Sequence, residues 1–81
     1  MAIWRMPAVK AETGHKSHAS IYAAIRAELF TKPVPIGERS VGWPDYEVQA
    51  INRARIAGQT EAQIKELVNR LHAKRTELVQ A

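Results

Sequence analysis

The sequence predicts a mainly α-helical domain carrying a small β-hairpin wing, the winged helix-turn-helix class. Three observations predict it. Two short helix signals between Pro7 and Leu29 are separated by a glycine-marked turn. A basic, proline-containing stretch from Phe30 to Trp43 reads as two short strands around a Gly-containing turn. Two further amphipathic patterns follow, each with its own start and stop signals.

The first helix is expected from Pro7 to Thr13, because proline fixes φ and its missing N–H costs nothing in a first turn. Met6, Val9 and Ala8 are expected to face inward, and Gly14 is a natural C′ residue. His15 and Lys16 form the turn. Ser17 then caps the second helix, since its hydroxyl accepts a bond from a free N–H one turn in. This helix is expected to reach about Leu29, with Ile21, Ile25 and Leu29 on one face and Ala24 allowing close approach to the first helix. His18, Ser20 and Arg26 fall on the rest of its surface, and Tyr22 borders the apolar face.

Pro33 and Pro35 suit an extended edge strand, where missing donors are tolerated and pairing with another chain is blocked. Gly37 and Glu38 form the hairpin tip, Val41 returns toward the core, and Trp43 anchors the hairpin. The third helix is expected from Pro44 to a stop before Gly58. Asp45 and Glu47 lie at its positive end and Arg53 and Arg55 toward its negative end, while Val48 and Ile51, followed by Ala54 or Arg55, form its buried stripe. Thr60 and Gln63 make a capping box for a fourth helix over about 60–78, whose stripe is Ile64, Leu67, Val68 and Leu71. The expectation is one domain over residues 1–81, with its winged core at 5–57.

The chain has 81 residues and no cysteine, so its core is held without disulfides, as suits a cytoplasmic protein. No apolar run reaches the length of a membrane span, and no membrane partner is expected. Net charge is +4 and unevenly distributed. Residues 1–42 carry six Lys/Arg against three Asp/Glu, and residues 43–81 carry six against five. The excess therefore lies on the helix-turn-helix segment, where contact with a polyanion would need it.

A helix with small and polar outward residues enters the DNA major groove and brings side chains to base edges. Ser17, His18, Ser20 and Tyr22 are the candidates for that role, with Lys16 just ahead and Arg26 further along toward phosphate. Lys32 and Arg39 are expected on either side of the wing tip, tracking the flanking backbone or the minor groove. Double-stranded DNA is thus the expected partner. A single module of this kind covers roughly 600–1,000 Å², so a second copy or a partner protein is expected at a real site.

Other chemistries find little support. Glu12, His15 and His18 are zinc-compatible ligand types, but Gly14 breaks the helix between them. Ser17 and His18 are adjacent and cannot be oriented as nucleophile and base. There is no glycine-rich phosphate loop. Neither an enzyme activity, a metal nor a cofactor is expected.

One set of residues resembles the AlpA family of small prophage regulatory proteins, related in shape to MerR-type winged helices and phage excisionases. It comprises Arg5-Met6-Pro7-Ala8-Val9, Thr13-Gly14, Ser20-Ile21-Tyr22 with Ile25-Arg26, Phe30 with Lys32-Pro33-Val34, and Ile36-Gly37 leading to Arg39-Ser40-Val41-Gly42-Trp43. Glu47-Val48 completes the pattern. The resemblance implies a cytoplasmic, sequence-specific double-stranded DNA binder of a prophage or integrated element, acting in transcription regulation or excision, with integrase or RNA polymerase as further contacts. It places the recognition helix at Ser17–Glu28 and the wing at Lys32–Trp43. The turn Gly14-His15-Lys16-Ser17-His18-Ala19-Ser20-Ile21-Tyr22 is one residue longer than the common family turn. The helix at 60–78 is also additional, and its stripe either covers the back of the domain or forms a homodimer seam. A rival reading is an adaptor that keeps the fold but docks an integrase or another phage protein.

Overall fold

The computed structural model describes residues 2–80, so both ends of the expected 1–81 domain lie outside the described residues. In chain order the elements are β1 (Ile3–Arg5), α1 (Met6–Thr13), α2 (His18–Arg26), β2 (Val34–Pro35), β3 (Val41–Pro44), α3 (Asp45–Ile56) and α4 (Glu61–Gln80). Four helices and a small antiparallel sheet make the mainly α-helical winged arrangement that the pattern predicts.

Local signals act where they stand. Pro7 lies in the first turn of α1, and Gly14 ends that helix at φ 77° with its N–H donating to Lys10 O at 2.9 Å. Ser17 caps α2 by accepting from Ser20 N at 3.2 Å. The capping box of α4 closes in both directions: Thr60 N donates to Gln63 Oε1 at 2.9 Å, and Gln63 N donates to Thr60 Oγ1 at 3.2 Å.

Two differences from expectation concern the backbone path. The first is β1, which pairs antiparallel with β3 so that Trp4 faces Trp43 and Arg5 faces Gly42. The sheet order is β1-β3-β2, which makes β3 the central strand and leaves the proline-bearing β2 at an edge. Gly42 permits this closeness, because a Cβ there would stand 2.5 Å from Ile3 Cγ2 and 3.0 Å from Trp4 O. The second is the end of α2, at Arg26 rather than near Leu29. Glu28 takes a left-handed conformation at φ 64°, its N–H donates to Ile25 O, and Leu29 N donates to Ala24 O at 2.8 Å. This is a Schellman stop built on a glutamate. α3 ends with the same pattern at Gly58.

Trp43 is fully buried at the centre of the core, tilted 50° against Phe30 at 5.9 Å, with its indole N–H donating to Thr31 O at 2.8 Å. Val9, Ile21, Val48 and Ile51 are buried in the same core. Met6 is half-buried as expected, but Ala8 is exposed, since α1 turns only Val9 fully into the core. In α3, Ala54 and not Arg55 continues the stripe; Arg55 instead donates to Leu29 O at 3.3 Å. The stripe of α4 covers the domain itself: Ile64, Val68 and Leu71 are buried in the same core, and Leu67 packs against it.

Glu47 has a role beyond the helix dipole. It is 0% exposed and receives a two-pronged interaction from Arg75 of α4, whose Nε donates to Oε2 at 2.7 Å. Among the described residues this is the one ion pair.

Candidate nucleic-acid interface

α2 has one face committed to the core and one that is not. Ile21 is buried, while Ala24 and Ile25 pack against the core from the same side. His18, Tyr22 and Arg26 recur every four residues, so they form a single stripe along the flank of the helix, beside its core-facing side. All three are exposed, Tyr22 at 36%. Ala19 and Ala23 flank the stripe and are also exposed, keeping that face narrow enough to approach a groove. Lys16 and Ser17 are exposed just ahead of it. No Asp or Glu occurs between Thr13 and Ala27, so nothing on this segment neutralises its cations.

Ser20 lies elsewhere. It is half-buried, and its hydroxyl shares a hydrogen bond of 2.6 Å with His15 Nδ1. Helical spacing turns it away from His18 and Tyr22. The structure thus separates Ser20 from the outward stripe and gives it a visible task, holding the long turn against α2. Burial, then the nearby Arg55 guanidinium, lowers the pKa of His15 from its usual value, so a neutral ring partners the hydroxyl. The turn between α1 and α2 is therefore tied to α2 by a defined contact.

Lys32 and Arg39 are both exposed, but they do not flank the wing tip symmetrically. Lys32 precedes β2 at the base of the wing, and its backbone is held by α4. Its N–H donates to His72 Nε2 at 3.0 Å, and Arg75 Nη2 donates to its carbonyl at 2.7 Å. Burial and the adjacent Arg75 are the leading causes that lower the pKa of His72, favouring the unprotonated Nε2 that this bond requires. Arg39 lies in the tip, where Ile36 N donates to Ser40 O at 2.9 Å to close the turn. There it shares a recess with Arg5 and Ser40.

Arg5 is a cation that the sequence pattern does not select as a site residue. Pairing of β1 with β3 carries it to the wing, setting Arg5 opposite Gly42.

Over residues 2–56, from β1 through α3, the chain matches the family described as prophage CP4-57 regulatory protein (AlpA). The chain belongs to the AlpA family. The match takes in β1, the helix-turn-helix, the wing and α3, and it ends before α4. In this member of the family α4 nonetheless completes the core that the matched elements share. No curated protein and no solved structure matches the chain. Among the described residues no helix is long and apolar enough to cross a membrane.

Proposed function

We propose that this AlpA-family regulator is a sequence-specific double-stranded DNA-binding protein, working in transcription control or in an excisionase-like role. The observation that supports this reading is the stripe of His18, Tyr22 and Arg26. It is exposed on a helix whose other side is packed in the core, and the helix itself, His18–Arg26, contains no acid. In this reading α2 enters the major groove, His18 and Tyr22 meet base edges or the adjoining backbone, and Lys16 and Arg26 meet phosphates. Ser17 keeps its cap while the remaining first-turn N–H groups face the backbone. Arg39 is the wing's cation, and Lys32 contributes charge from the wing base.

A second reading, an adaptor docking an integrase or another protein, draws on the exposed Ala19 and Ala23, which offer no donors for base recognition. Fluorescence-anisotropy titration of a random duplex pool at two salt concentrations, with sequencing of the bound fraction, separates the two. The DNA reading expects binding that weakens with salt at a slope of about 0.9 per phosphate contacted, with one enriched motif. A repeat within that motif would indicate two copies on the site. Absence of duplex binding at low salt would overturn this reading in favour of the adaptor.

A further inference from the structure

We propose that the recess between the start of α1 and the wing turn is a phosphate-binding site, filled by a backbone phosphate of duplex DNA. The assignment of DNA as the source rests on the reading above; the recess itself rests on its own geometry. It encloses about 310 Å³ and is lined by Arg5, Met6, Pro7, Arg39, Ser40 and Val41.

Two arginines from different parts of the chain, Arg5 and Arg39, line this space, and no Asp or Glu lines it. Arg5 reaches across from β1 and donates through Nη2 to Ser40 Oγ at 3.1 Å. That bond holds the planar group beside the wing turn, while its other donors have no partner among the described residues. Arg39 has neither an ion pair nor a side-chain hydrogen bond among the described residues. A concavity lined by two arginines and no acid favours an anion, and the guanidinium fork matches phosphate oxygens in pairs. The start of α1, with no side-chain cap, adds positive potential to the same wall.

The lining also selects the ligand class. It contains no aromatic ring on which a base could stack, so it suits a phosphate group rather than a whole nucleotide. Its position bridges the wing and the first helix. A phosphate held there would fix the register of the wing on the duplex without reading sequence.

The test uses the full chain in two arms. In the first, ¹⁵N-labelled protein is titrated with inorganic phosphate, with chloride at matched ionic strength as control. Shifts concentrated at the Arg5 and Arg39 Nε and the Ser40 amide are expected with phosphate and not with chloride. In the second, parent and Arg39→Gln are titrated with duplex at several salt concentrations. The variant is expected to bind every sequence more weakly, with a salt slope shallower by about 0.9. Arg39 is exposed at the tip, so this substitution leaves the core intact; Arg5→Lys, which keeps charge but loses the fork, is expected to weaken binding in the same direction. Duplex binding with an unchanged slope in Arg39→Gln would overturn the recess and leave the DNA reading standing. Phosphate shifts without duplex binding by the parent would keep the site, assign it to free phosphate, and remove the DNA reading. Absence of both phosphate shifts and duplex binding by the parent would overturn both.

Discussion

Glu47 and Arg75 illustrate how one residue's surroundings decide the cost of losing it. Glu47 is 0% exposed, whereas the Arg75 side chain is 24% exposed and also bonds Lys32 O. Arg75→Leu leaves a buried carboxylate unpaired and is expected to cost about 3–5 kcal/mol, a large share of what a domain this size possesses. Glu47→Leu frees a cation that can turn toward water, so it is expected to cost markedly less. The double variant should recover much of the Arg75→Leu loss. Equal costs for the two single variants in urea denaturation would contradict this asymmetry. Glu28 offers the opposite case. A glutamate at φ 64° is strained where glycine is not, and Gly58 shows the preferred solution in the same motif. Glu28→Gly is expected to stabilise by about 0.5–1 kcal/mol, the relief of strain less the added chain entropy. An unchanged or lowered melting temperature would count against it.

At the scale of elements, α4 decides whether the rest can hold together. The family match ends at residue 56, yet Ile64, Val68 and Leu71 are part of the single core, and Arg75 neutralises Glu47 of α3. Three buried aliphatic side chains at about 1.5–3 kcal/mol each are comparable with the whole stability of a small domain. A chain ending at Gln59 is therefore expected to lack a cooperative unfolding transition by circular dichroism, and a sharp transition would show that α4 is dispensable. The contact of α4 with the wing base also titrates. His72 must be unprotonated at Nε2 to accept from Lys32 N–H, and burial followed by Arg75 lowers its pKa. His15 is lowered too, by burial and then Arg55. For groups depressed in the folded state, the stability they contribute is complete above the ordinary value of 6.5 and is lost as pH falls through the lowered folded values. Urea midpoints are thus expected to fall as pH drops below 6.5, and His72→Gln, which keeps an acceptor but does not titrate, to flatten part of that fall.

For the whole molecule, the proposed binding surface divides into contacts that read and contacts that position. The wing cations and the α1–wing recess carry charge without sequence information, while the outward stripe of α2 faces where base edges would lie. Arg39→Ala is accordingly expected to weaken binding to all duplexes alike. His18→Ala should instead erode preference among sequences with little change in salt slope. Ser20→Ala should act differently from His18→Ala, because the Ser20 hydroxyl holds His15 in the turn. Its effect should register in the folded protein's stability as well as in binding. Loss of sequence preference in Ser20→Ala at unchanged stability would return Ser20 to the reading face. The apolar stripe of α4 is already occupied by the protein's own core, so any homodimer seam on that helix must use its remaining faces.

The features legible in the amino-acid sequence are those built by near neighbours. Pro7, Gly14, Ser17 and the Thr60–Gln63 box act within one helical turn, and the spacing of Ile21, Val48, Ile51, Ile64 and Val68 reports their common inward side. The wing was legible for the same reason, since its prolines and glycine mark an edge strand and a tip. Tertiary structure alone decided the rest. A three-residue strand has no period of its own, and β1 exists only because Gly42 lets it lie close on β3. The end of α2 carries no glycine or proline signal, since an exposed glutamate, Glu28, takes the left-handed position. The partners Glu47 and Arg75 are 28 residues apart, and Arg5 meets Ser40 across 35. No local pattern encodes such meetings. They follow from chain segments brought together by burial, which is why the recess and the α4 clamp became visible only in the fold.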